Sequence, residues 1–283
     1  MRNALSVDVE DWFQVGAFEK VIDKGDWPRL ESRVQRNTDA VLDLFQRAGV
    51  KATFFTLGWV AERAPEQMRR IVAEGHEIAS HGWDHDRVFT MTAEQFRADL
   101  RRARAAIEDA AGAPVTGYRA PSFSIDKRTP WAHAVLAEEG YAYSSSVAPV
   151  KHDHYGWPES PRFVWKPVEG SEMIELPVTT ARLGERTLAA GGGGFFRLLP
   201  YKFSSWAIRQ VNGEAGRPAV FYFHPWEIDP GQPRVGNAPL RSKVRHYSRL
   251  SAMEGKLERL LKDFAWDRVD RVVAGQRPKS LEQ

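Results

Sequence analysis

The chain has 283 residues, 42% hydrophobic and 27% charged, with 40 Lys and Arg against 37 Asp and Glu for a formal net charge of +3. That profile allows a sizeable globular core, and basic residues interleaved with acids, as in RADLRRARAAIEDA, favour solvated helix faces over a nucleic-acid stripe. There is no cysteine, which excludes disulfides, thiolate nucleophiles and Cys-ligated zinc. No window reaches the ~18 uninterrupted apolar residues of a membrane span, and no signal-like run precedes the first acid, so a cytoplasmic protein is expected.

ALSVDV, near the start, reads as a strand ending in the acids Asp8, Glu10 and Asp11. Val34, Val41, Leu42, Leu44 and Phe45 are spaced for a helix that Gly49 stops. KATFFTLG is a second strand, PEQMRRIVAEG a helix opened by Pro65, and HEIASHG a third strand. TAEQFRADLRRARAAIEDAAG shows a capping-box pattern at its start and a terminator in Gly112. PVTGYRAPSFS, a helix at PWAHAVLAEEG and YAYSSSV follow. From about residue 150 the rhythm loosens: HDHYGWPESPR and LAAGGGGFFRLLP read as loops, the four glycines implying close backbone approach or mobility. PAVFYFH is a strand running into a Pro-rich loop, and SRLSAMEGKLERLLKDFAW is an amphipathic helix. Alternating strands and helices predict an α/β fold with a largely parallel sheet, as one domain over 1–283 elaborated in its C-terminal part, from about 230.

In such folds chemistry gathers at the C-terminal ends of strands, and the suspect residues fall there. His81 and His85, four apart, can share a metal with one carboxylate, leaving positions open for water and substrate. Alternation puts Asp8 and Glu10 on one face with Asp11 at the turn; a helix cap or plain ion pairs is the structural alternative for these acids. Arg119 offers a fixed cation that either orients a carboxylate or pairs for structure alone. His224 ends an apolar run with Glu227 and Asp229 close behind, which suits a general acid as well as a packed core histidine. His76, His133, His152, His154 and His246 have no such setting and are read as structural or surface residues.

Taken in order, SVDVED, SHGWDH, YRAPSFS, YAYSSSV and FYFHPWE resemble the successive motifs of the polysaccharide deacetylases, carbohydrate esterase family 4, over roughly residues 5–230. DVEDWF, GGGGFFRLLPY and HPWEIDPGQPR further resemble the subgroup associated with exosortase-linked exopolysaccharide loci. The resemblance implies a deformed (β/α) barrel and metal-dependent N-deacetylation of N-acetylhexosamine units in a polysaccharide or oligosaccharide. It implies Asp8 as general base, His81 and His85 as metal ligands with Glu10 or Asp11 as the carboxylate ligand (Glu10 by analogy with D-x-D members), Arg119 orienting the base, and His224 protonating the leaving amine. Zn²⁺ is the first-choice divalent ion. A backbone N–H near Tyr143 is expected to help hold the oxyanion, and Trp83, Phe123 and Trp226 are candidates for a sugar-facing wall. This chain departs from the family pattern at Gly82, Asp86 and Ser144. Hydrolysis of cyclic amides or ureides on the same scaffold, and a non-catalytic sugar-binding role, are the competing readings.

Overall fold

The first strand, β1 (Arg2–Val9), is exposed only at Arg2, residues 3–9 all lying inside. A segment buried on both faces fits the centre of a parallel sheet. A computed structural model, describing residues 1–151 and 155–276, shows that position; His152 and His154 lie outside the described residues. β2 (Thr53–Thr56), β3 (Glu77–Ser80), β4 (Gly117–Tyr118), β5 (Tyr143–Ser144) and β6 (Ile174–Glu175) follow outward from one edge of β1, every pair parallel. Ala4–Val7 pair with the strand Val220–Phe223, and Arg2–Ala4 with the short strand Ala265–Asp267, completing eight strands. This sheet with its covering helices is the deformed (β/α) barrel expected.

Helices α1 (Val34–Ala48), α2 (Gly58–Arg63), α3 (Pro65–Ala73), α4 (Ala93–Ala111) and α5 (Ala132–Glu138) connect the first five strands. Val41, Leu42, Leu44 and Phe45 bury the inner stripe of α1, and Gly49 closes the helix at φ 65, donating its N–H to the carbonyls of Phe45 and Gln46. The capping box of α4 is formed in full: Thr92 Oγ1 accepts from the Gln95 N–H and Gln95 Oε1 from the Thr92 N–H, an arrangement worth about 1 kcal/mol. One continuous core joins these helices to the sheet through residues such as Leu5, Val7, Phe45, Phe54, Leu100 and Phe223.

After β6 come a two-stranded antiparallel hairpin, β7 (Thr180–Leu183) and β8 (Arg186–Ala189), then α6 (Gly193–Leu198), α7 (Tyr201–Gly213), β9 (Val220–Phe223), α8 (Leu240–Tyr247), α9 (Met253–Asp263), β10 (Ala265–Asp267) and α10 (Val269–Ala274). The glycine run is a place of close approach: a Cβ on Gly191 would meet the Val220 carbonyl oxygen at 2.4 Å, and one on Gly193 the Glu227 carboxylate at 2.1 Å. The loop expected there turns helical from Gly193 onward.

The register aligns the strand ends. Val9 pairs with Thr56, Thr56 with Ser80, Ser80 with Tyr118 and Tyr118 with Ser144, while Val7 pairs with Phe223. Glu10, His81, Arg119, Ser145 and His224 are therefore each the first residue beyond a strand, gathered on one rim.

Candidate metal and catalytic site

That rim opens into a cavity of about 360 Å³, lined among others by Asp8, Glu10, His81, His85, Phe123 and His224. Glu10, His81 and His85 each bring a ligand atom to within 4.8 Å of the others. The His81 ring sets its Nδ1 2.8 Å from the Arg119 carbonyl oxygen, which fixes Nδ1 as the N–H and leaves Nε2 as the lone pair. Burial lowers the His81 pKa to about 4 against the raising pull of Asp8 and Glu10, so the ring is neutral and able to ligate. His85 follows in a left-handed turn, φ 66, a conformation that costs a non-glycine residue energy. Ser122 and Phe123, also on the cavity wall, carry positive φ as well.

Glu10 Oε2 lies 2.9 Å from His85 Nε2, outside hydrogen-bonding alignment, and is buried without a hydrogen-bond partner. Burial pushes the Glu10 carboxyl upward, but the imidazoles of His85, His224 and His81 bring it down to about 2. An ionised, orphaned oxygen facing two imidazoles is what a divalent cation satisfies, and the two-nitrogen, one-oxygen set suits Zn²⁺ among such ions. The residues fit the metal.

Asp8 stands beside this cluster. Its Oδ1 accepts from Arg119 Nη1 at 2.7 Å, and the same nitrogen donates to Ser6 Oγ at 2.7 Å. Arg119 is fully buried, its Nε donating to the Ser145 carbonyl (3.1 Å) and its Nη2 to Ser145 Oγ (3.0 Å), with the guanidinium over the Phe55 ring. Every edge of the fork is engaged, so the carboxylate has one position. Across the cavity, His224 presents Nδ1 to Glu227 Oε1 at 2.9 Å and Nε2 to Glu10 Oε1 at 3.4 Å. Burial lowers the His224 pKa, but Glu10 and Glu227 together outweigh it and raise it to about 9. Trp226 stacks on the His224 ring and donates its indole N–H to Glu10 Oε1 at 3.2 Å.

The structure corrects three sequence expectations. Asp11 is not at the cluster: its carboxylate accepts from Ser32 Oγ and from the N–H groups of Trp12, Arg33 and Val34, capping the approach to α1. Tyr143 is inside the sheet, its hydroxyl donating to Glu77 Oε1 at the opposite, N-terminal end of the strands, away from the cavity wall. Trp83 packs outward under Arg102, 3.5 Å from ring centroid to guanidinium carbon, and against Gly58. Phe123 and Trp226 do line the cavity. Unforeseen at the site were Ser6, Ser145 and Trp226's bond to Glu10; the i, i+3 spacing of His224 and Glu227 was the one local signal of the carboxylate that holds the imidazole.

Residues 21–143 match the polysaccharide deacetylase family, and residues 145–274 match a domain of unknown function, DUF3473. Over residues 21–143 the chain is similar to the polysaccharide deacetylases. The family match takes in His81, His85 and Arg119, while Asp8, Glu10 and His224 join them through the fold. Peptidoglycan deacetylase of Helicobacter pylori is 35% identical over 107 residues, 38% of this chain and 36% of that protein. Chitin deacetylase 1 of Cryptococcus neoformans var. grubii is 29% identical over 126 residues, 42% of this chain and 26% of that one. The chain thus spans well under half the length of these relatives. Two solved structures share the fold: one from Mycobacterium smegmatis, classed provisionally as a polysaccharide deacetylase (TM-score 0.61, 20% identity, 100% of this chain and 94% of that one), and the allantoinase Puue (TM-score 0.62, 14% identity, 98% and 91%).

Proposed function

We propose that this protein is a metal-dependent hydrolase that removes acetyl groups from N-acetylhexosamine units of a polysaccharide. One observation carries the reading: a three-ligand cluster, a carboxylate fixed by a buried arginine and an imidazole fixed by a second carboxylate all face one cavity. Zn²⁺ held by Glu10, His81 and His85 would supply Lewis-acid polarisation of the acetyl carbonyl and of the attacking water.

The chain's own groups then divide the proton work. Asp8, oriented by Arg119, takes the proton of the water as its oxygen attacks the carbonyl carbon. His224, held through Nδ1 by Glu227, delivers the Nε2 proton to the amide nitrogen as the C–N bond breaks. Acetate and a free amino sugar leave. Phe123 and Trp226 supply apolar wall to the sugar. The exopolysaccharide setting rests on the resemblance of the C-terminal motifs.

Acetate release from chito-oligosaccharides by the Zn²⁺-loaded protein tests this, with Asp8→Asn as control. Release abolished in a folded Asp8→Asn variant is expected; undiminished release removes the base assignment. Because the fold is shared with an allantoinase, ureide hydrolysis is the counter-assay, and turnover there without acetate release would overturn the reading.

A further inference from the structure

Among the described residues, the charges lining the cavity do not cancel. The acids among them are matched: Asp8 by Arg119, Glu10 by the imidazoles of the ligand cluster, and Glu19, on the outer wall, by Arg87 at 2.7 Å. Lys20 and Arg245 also line it, from different segments. Lys20 is exposed on the stretch that follows β1, and Arg245 is half-buried on α8. Among the described residues neither has a carboxylate within 4.0 Å. The wall bearing Arg245 is firmly held: buried Arg197 donates to the carbonyls of Arg245, His246 and Ser248, which pins the last turn of α8.

Resting on the deacetylase reading, we infer that Lys20 and Arg245 select a glycan in which the acetamido sugar is flanked by uronic acid units, their carboxylates meeting these two cations. Charge balance favours this class over a plain N-acetylhexosamine homopolymer. Each deacetylation turns a neutral unit into an ammonium, so a homopolymer becomes a polycation that a basic mouth repels, whereas alternating carboxylates keep the product near neutral and complementary to the rim. A carboxylate–cation contact at a partly exposed rim is worth about threefold in affinity and weakens with salt, so two together, multiplying, give roughly tenfold.

The probes are a hyaluronan tetrasaccharide, which alternates N-acetylglucosamine with glucuronate, and neutral chitotetraose. Acetate release (kcat/KM) and equilibrium binding are both measured on Zn²⁺-loaded wild-type protein and on Lys20→Gln/Arg245→Gln, at low and at ~0.5 M salt. The expected result is about tenfold preference for the hyaluronan probe, carried in KM, and lost in the double variant and at high salt. Equal use of both probes, or a preference that survives the double variant, overturns the inference while leaving the deacetylase reading standing. Tighter hyaluronan binding that depends on the two cations, without acetate from either probe, sustains the inference and sinks the deacetylase reading instead.

Discussion

Replacing Arg119 with Lys keeps the positive charge and removes the fork. In the structure the guanidinium makes four hydrogen bonds, to Asp8 Oδ1, Ser6 Oγ, and the Ser145 carbonyl and hydroxyl, over 2.7–3.1 Å. A lysine ammonium is a single point of charge on a flexible stem and cannot span Asp8 and Ser145 together. Losing one to two hydrogen bonds made by a charged group costs about 2–4 kcal/mol, and if that loss falls on the geometry of the base it lowers kcat by roughly 30- to 1,000-fold. Acetate release should therefore fall by that factor with KM and bound zinc nearly unchanged. In an Asp8→Asn background the same replacement should cost little more, because the two residues act as a unit. Arg119→Met is a harsher change: it leaves Asp8 buried and unpaired, at about 3–5 kcal/mol of stability. An Arg119→Lys enzyme within threefold of wild type in kcat would refute the claim that the fork positions the base.

Asp11→Ala should lower the melting temperature, reflecting about 1–2 kcal/mol lost from the cap at α1, while retaining the wild-type zinc content; loss of zinc would return Asp11 to the ligand set. Gly193→Ala would drive a methyl into the Glu227 carboxylate, so kcat should drop as His224 loses its partner, and full activity would show that Glu227 does not orient the imidazole. His76 tests pH dependence away from the site. It is buried, its Nδ1 accepting the Ala52 N–H, and burial, aided by Lys51 and Arg268, lowers its pKa from 6.5 to about 4. The unfolded chain then binds the extra proton first, so this contribution is intact above pH ~6.5 and falls by about 3 kcal/mol as pH drops toward 4. Denaturant titrations should show a shallower acid slope in His76→Asn, which keeps an acceptor for Ala52 but cannot take up the proton; an unchanged slope would refute it.

What local pattern could reveal was the strand-end placement of Glu10, His81, Arg119 and His224, because one residue beyond a buried run is readable from the run itself, and of Asp8, two residues before Glu10 in the last stretch of β1. The α1 stripe and the α4 capping box were legible for the same reason: their determinants lie within four residues of one another. Asp11 was ambiguous because, apart from its neighbour Trp12, its carboxylate's partners lie 21 residues and more away, at Ser32, Arg33 and Val34. Tyr143 and Trp83 went astray because a side chain's neighbours depend on which strand or helix packs opposite, here Glu77 for one and Arg102 for the other. The hairpin β7–β8, the short α2 and the three-residue β10 carry too little periodicity to stand out; β10 exists because β1 offers its unpaired lower edge. Glycines 191–193 announced close approach without saying to what, and the answer, Val220, Tyr222 and Glu227, lies about 30 residues further on.

The account depends on a cation held by Glu10, His81 and His85. Calorimetric titration of Zn²⁺ into metal-stripped protein, wild type beside Glu10→Gln, tests it most directly. One equivalent of tight binding in the wild type, weakened at least about 100-fold in a folded Glu10→Gln variant, is the predicted outcome. Equal binding by the two proteins, or none by the wild type, would contradict it.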